Sequence, residues 1–231
     1  MALAIFDLDN TLLNGDSDYL WGRFLSTEGL VDANSYELEN QRFYDEYKAG
    51  TLDIMEFLSF SLNPLSQHSM ATLNNLHDKF MATVIRPLIT DSARQLVEKH
   101  RENGDYLLII TATNDFITTP IAHELGMDDI IATTAEIQNE RYTGKVAGTP
   151  SFREGKVNRL RDWLKQNGQN LAGSWFYSDS HNDLPLLDQV SHPVAVDPDE
   201  TLANHAAACD WPILSLKTER IITLNPKDWV K

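Results

Sequence analysis

The sequence predicts an α/β protein: a doubly wound, mostly parallel, Rossmann-like sheet carrying an inserted all-helical cap domain. Three observations carry that expectation. Residues 3–6 (LAIF) form a short apolar run without alternation, the pattern of a strand buried on both faces. From about residue 18 to 84 the apolar spacing is helical throughout. After Pro87, strand-like and helix-like segments alternate, which implies parallel strands joined by crossover helices.

Taken in order, Leu20, Trp21, Phe24 and Leu25 stripe a first helix. Tyr36, Phe43, Tyr44 and Tyr47 stripe a second, ending at Gly50. Ile54, Leu58 and Leu62 mark a third, stopped by Pro64, and Met70, Leu73, Leu76, Phe80 and Val84 a fourth. Residues 88–103 read as a helix closed by Gly104, 106–110 as a strand, 115–125 as a helix closed by Gly126, and 130–133 as a short strand. Residues 135–147 read as a hairpin turning at NERYTG. Val157, Leu160 and Leu164 stripe a helix that Gly168 ends; 175–177 and 193–196 read as strands with a short helix at DLPLLDQV between them. The expected division is a core of 1–13 and 87–231 and a cap of 14–86.

Nineteen Lys and Arg against 34 Asp and Glu give a net charge of −15. Such a surface repels nucleic-acid backbones and anionic membranes, so neither is an expected partner. The single cysteine, Cys209, excludes an internal disulfide and fits a reducing cytoplasm. No signal-peptide pattern precedes residue 3, and no apolar run is long enough to span a bilayer. The expectation is a cytoplasmic protein; composition says nothing of its oligomeric state.

The chemistry-bearing residues gather where strands end. Asp7 follows the first strand, and Asp9, two residues on, projects the same way. Two carboxylates held together repel unless a cation or a proton lies between them. A calcium loop would use Asp7, Asp9, Thr11 and Asp18, but its sixth place is Leu12 where that loop needs glycine. Asp16 or Asp18 can cap the first helix, and for Asp18 the cap is the preferred reading. Thr111 ends the second core strand, Asp179 a later one, and Asp183 opens a helix. Lys156 lies in the first turn of its own helix, where a cation opposes the dipole. Acids, a hydroxyl and a lysine at carboxyl strand ends suit a phosphoryl group bound with Mg²⁺, which prefers hard oxygen ligands.

DLDNT (7–11), Thr111, Lys156 and SDSHND (178–183) resemble, in order and spacing, the four motifs of the haloacid dehalogenase-like hydrolases. The helical insertion and the NDLPLL ending resemble the phosphoserine-phosphatase-like branch. The resemblance implies a Mg²⁺-dependent phosphatase acting on a small-molecule phosphate ester. Asp7 would take the phosphoryl group as an aspartyl-phosphate, and Asp9 would act as general acid and then base. Thr111 and backbone N–H groups from Ala112 to Asn114 would bind phosphate, and Lys156 would balance charge. Asp7, the Asp9 carbonyl and Asp179 would hold the metal, with Asp183 in support; Asn182 would contact phosphate or Lys156. Arg153, in FREGK, is a further candidate for the phosphate or the leaving group.

The sequence departs from phosphoserine phosphatases on the cap. Asp16 stands where they carry a glutamate that contacts the substrate amine. The stretch LSFSL (58–62) lacks the arginine that grips the carboxylate, leaving Arg23 or Arg42 to supply it from another helix. An ester with an amine and no carboxylate, such as histidinol phosphate, is therefore expected. The alternatives are phosphoserine and, in a different class, a phospho-accepting signalling module. Trp21, Phe24, Phe43 and Tyr47 are expected in the core and not against substrate.

Overall fold

Alternate residues of the first strand face opposite ways, and both faces are covered. Ala4 and Phe6 join one buried apolar cluster, Leu3 and Ile5 the other. This is why the run shows no alternation. The computed structural model describes residues 2–224; residues 1 and 225–231 of the expected core lie outside the described residues. Its strands are β1 (Leu3–Phe6), β2 (Tyr106–Asn114), β3 (Asp129–Gln138), β4 (Arg141–Ala147), β5 (Trp175–Ser178), β6 (His192–Val196), β7 (Ile213–Ser215) and β8 (Ile222–Leu224). They form one sheet in the order β4-β3-β2-β1-β5-β6-β7-β8. The six central strands are parallel, and β4 and β8 close the edges antiparallel.

Four helices stand between β1 and β2: α1 (Ser17–Thr27), α2 (Ala33–Ala49), α3 (Ile54–Ser66) and α4 (Met70–Phe80). Their N-caps are Asp16, Asp32, Asp53 and Ser69, each accepting a backbone N–H two or three residues on. Asp16 and not Asp18 caps α1. Pro64 does not stop the third helix. It sits buried in the last turn, where its missing N–H forgoes one bond, and the helix ends at Ser66. Beyond α4 a π turn (Met81–Ile85) and a 3₁₀ turn (Arg86–Leu88) lead back to the sheet.

The crossover helices are α5 (Asp91–Glu102), α6 (Asp115–Glu124), α7 (Glu154–Asn167), α8 (Leu184–Leu187) and α9 (Glu200–Ala208). Helix α5 starts three residues later than expected because Thr90 caps it. Strands β2 and β3 run longer than their apolar stretches. The added part of β3 pairs with β4 across a two-residue turn, Asn139-Glu140, both with positive φ. Helix α9 and strands β7 and β8 were not among the predicted elements.

The helical block and the sheet share one core. Trp21 packs edge-on to Phe80 and Phe116, and His77 edge-on to Phe116. His77 Nε2 lies 2.9 Å from the Ile117 carbonyl, joining α4 to α6. Burial holds this imidazole below its usual pKa, outweighing the carbonyl's opposite effect. The folded protein thus keeps His77 neutral while the unfolded chain protonates it below about 6.5. Stability from this group is full above that pH and falls on acidification, by up to about 1.4 kcal/mol per pH unit. Denaturant midpoints between pH 7.5 and 5.5 are expected to fall more steeply for the native protein than for His77→Gln.

Candidate active site

The sheet register gathers the site. Phe6 is level with Ile109 of β2 and Tyr177 of β5, so the residues beyond them emerge at one edge. The Asp7 N–H donates to the Tyr177 carbonyl at 2.9 Å, extending the ladder by one residue. After Asp9 the chain turns sharply. Asn10 takes a left-handed conformation (φ 58°), which asparagine tolerates, and the Leu8 carbonyl accepts the N–H groups of Thr11, Leu12 and Leu13. This turn puts the Thr11 hydroxyl 3.4 Å from Asp7 Oδ2 and 3.1 Å from Asp179 Oδ1.

Lys156 reaches the same place from α7. Gly155 makes this possible: a Cβ there would fall 2.1 Å from the Pro150 carbonyl oxygen, so a larger residue would push the 149–153 loop off the first turn. The buried Lys156 ammonium lies 2.7 Å from Asp7 Oδ1 and 2.8 Å from Asp183. Burial works against its charge, but the Asp183 and Asp7 carboxylates outweigh that and hold its pKa well above normal. Asp183 also accepts from the Ser178 hydroxyl at 2.7 Å. Its carboxylate is thus committed to Lys156 and Ser178.

Asp9 has different partners. Its Oδ1 accepts the Ser17 N–H at 2.6 Å and its Oδ2 the Thr113 hydroxyl at 2.8 Å. Burial, then the neighbouring Asp16 charge, push the Asp9 carboxyl up to about 7. Asp7 is raised too, by burial first and against the pull of Lys156. Asp179 is raised well above the usual range by burial and by the Asp7 and Asp183 charges. Among the described residues no cluster of three or more His, Cys, Asp or Glu is spaced to hold a metal. The two acids that face each other without a full set of donors are Asp7 and Asp179, which share the single Thr11 hydroxyl hydrogen.

Thr111, Ala112 and Thr113 line the cavity beside Asp7 and Asp9. Asn114 caps α6 through Ile117 N–H and is not on the lining. Asn182 and Arg153 turn elsewhere. Arg153 donates to the Gly50 carbonyl at 2.5 Å and to Asn182 Oδ1 at 2.9 Å, and Asn182 donates to the Tyr47 carbonyl at 3.3 Å. Together they dock the C-terminal carbonyls of α2 onto the core. Sequence reasoning missed Thr113 as a partner of Asp9, and Thr11 as the hydroxyl between Asp7 and Asp179. For Thr113 the signal was its place two residues beyond Thr111 on an extended strand.

Between the strand ends and the helical block lies a cavity enclosing about 610 Å³. The block contributes Asp16, Asp18, Tyr19, Asn40, Phe43, Tyr44, Tyr47, Leu52, Ile54 and Phe57. Trp21 and Phe24 are core residues as expected, but Phe43 and Tyr47 face the cavity: the α2 stripe is wide enough to pack on α3 with one edge and line the cleft with the other. Asp16 faces the cavity while its Oδ1 accepts the Tyr19 N–H at 2.9 Å. Among the described residues, no Lys or Arg lines it. Arg42 is held on the surface by Glu39, Glu46 and Glu56, and Arg23 is not on the lining.

The family model for haloacid dehalogenase-like hydrolases matches residues 4–188. A histidinol-phosphatase of Neisseria meningitidis is 49% identical over 219 residues, covering 93% of this chain and 99% of that protein. A phosphoserine phosphatase of Mycobacterium tuberculosis is 30% identical, covering 95% of this chain and 72% of that protein. Among solved structures, a protein of unknown function from Bordetella pertussis superposes with a TM-score of 0.86 at 43% identity, covering 92% of this chain and 97% of that one. A substrate-bound phosphoserine phosphatase superposes with a TM-score of 0.70 at 19% identity, covering 95% and 94%, and shares the fold. With four motifs converging on one sheet edge and a family match across most of its length, the chain belongs to the haloacid dehalogenase-like hydrolases.

Proposed function

We infer that this protein is a Mg²⁺-dependent phosphomonoester phosphatase that hydrolyses an amino-alcohol phosphate, histidinol phosphate, through an aspartyl-phosphate on Asp7. The composition of the cavity carries the substrate reading: acids and aromatics on the helical side, and no Lys or Arg among the lining residues. A substrate carboxylate there would be buried without a partner, which is costly. The extensive identity to a protein named histidinol-phosphatase supports the same substrate. In this reading residues 14–86 act as a cap over a core of 1–13 and 87–231, and the setting is the cytoplasm.

Members of this family generally use Mg²⁺. The donor set here fits it: Mg²⁺ is commonly bound by one or two carboxylates together with water and substrate phosphate. Asp7 and Asp179, two buried acids with one hydroxyl hydrogen between them, would hold it with the Asp9 carbonyl. Asp183 would act through Lys156 and Ser178. When bound, the ion would neutralise charge on the acids and on the arriving phosphate.

The chain's own residues then divide the work. The Asp7 carboxylate attacks phosphorus, and the bond to the leaving oxygen breaks. Asp9, with its carboxyl near 7, gives that oxygen its proton. Water next attacks the aspartyl-phosphate, losing a proton to the Asp9 carboxylate, and phosphate leaves. Lys156 keeps Asp7 oriented and balances the charge that collects around it. Thr111 and the backbone at Ala112 and Thr113 are positioned at the phosphate end of the cavity.

Asp7→Asn is expected to lower kcat by at least about 10³-fold while circular dichroism and melting stay native-like. Normal turnover by that variant would refute the nucleophile. In a panel of phosphomonoesters with Mg²⁺, histidinol phosphate is expected to exceed phosphoserine in kcat/KM by about tenfold or more, since leaving one buried polar group unpaired costs about 1–3 kcal/mol. Equal or better turnover of phosphoserine would remove the substrate reading. Chelation by EDTA is expected to abolish turnover, and added Mg²⁺ to restore it.

A further inference from the structure

Asp18 is a buried acid that the reaction does not use. It lies in the first turn of α1, is 7% exposed, and lines the cavity. Its Oδ2 has no hydrogen-bond partner. Asp16, the N-cap of the same helix, has Oδ1 engaged by the Tyr19 N–H. The helix dipole favours an acid at the Asp18 position but does not replace a hydrogen-bond donor. The charges that act on Asp18 are those of other acids, Asp16 and Asp9. Phe43, Leu52, Ile54 and Phe57 give the helical side of the cavity an apolar surface. A lone carboxylate oxygen turned into an apolar, acid-rimmed cleft is complementary to a cationic group delivered by a ligand.

We propose that Asp18 is the specificity residue that receives the substrate's ammonium group, with Asp16 beside it on the cavity wall. This rests on the amino-alcohol phosphate reading and deepens it: the phosphate end is served by Asp7 and Thr111, and the amine end by Asp18. The ligand it selects carries a primary ammonium a few bonds from the phosphate and an apolar or aromatic body for the Phe43 and Phe57 side.

The test is binding of an unphosphorylated pair by calorimetry: histidinol, which has the amine, and 3-(imidazol-4-yl)propan-1-ol, which lacks it. The native protein is expected to bind histidinol about tenfold or more tightly than the deaminated alcohol, as a charge-assisted hydrogen bond would provide. Asp18→Asn, which keeps shape and removes charge, is expected to erase that preference and leave binding of the deaminated alcohol within about twofold. Its melting temperature establishes that it folds, and Asp18→Glu is expected to recover part of the preference. If the native protein shows no preference for the amine, or if Asp18→Asn keeps it, Asp18 is a protonated structural group and the proposal fails. Equal weakening of both ligands in Asp18→Asn would overturn it too. Hydrolysis of histidinol phosphate is assayed separately, so a protein that binds the amine through Asp18 but does not cleave the ester would sink the functional reading alone.

Discussion

The site depends on one buried ion cluster. Lys156 places its ammonium between Asp7 and Asp183, drawing together three charges from the first strand, from α7 and from the turn after β5. Burying any of them alone would be prohibitive, and removing one partner of such a cluster typically costs about 3–5 kcal/mol. The cluster nonetheless has one negative charge in excess. Asp179, Asp9, Asp16 and Asp18 add more acid around the cavity, and burial raises the pKa of each of the four. The site is therefore built to take up positive charge: a metal at the strand ends and an ammonium group at the helical wall.

Those two needs are met by different parts of the fold. The phosphate end is rigid because it sits on strand tips whose register is set by backbone pairing. The helical wall is fixed in two places. Aromatic packing of Trp21, His77 and Phe80 against one another and Phe116 ties α1 and α4 to the core. Arg153 and Asn182 hold the last carbonyls of α2 from the other side. Arg153 adopts an unusual backbone conformation (φ 49°, ψ −122°) in doing so, a strain of order 1–3 kcal/mol that the surrounding contacts must offset. The residues that resemble phosphate contacts in sequence thus serve in this structure to seat the helical block.

Much of this could be read along the chain. The unalternating LAIF run, the helical spacing of the next sixty or so residues and the later β/α alternation specified strand, insertion and parallel sheet, because burial on one or two faces leaves a periodic mark. Asp7, Asp9, Thr111, Lys156, Asp179 and Asp183 were legible because chemistry-bearing residues at strand ends interrupt apolar runs at recognisable places. The tail of the sheet, α9, β7 and β8, left weaker marks: the elements are short, and β8 is largely exposed at an edge.

Partnership was not legible. Nothing local says that Thr113 and not Thr111 bonds Asp9, that Asp183 is spent on Lys156, or that Arg153 reaches Gly50 rather than phosphate. Nor could spacing separate Asp16, whose side chain caps α1, from Asp18, whose oxygen is left open to the cavity. What the chain carries in its local pattern is which segments are apolar and on which face, and hence the layers, since those follow from burial along each segment. Which polar atoms meet is settled only when distant segments converge, because a hydrogen bond spans about 3 Å and its partners here lie up to 168 residues apart in the chain.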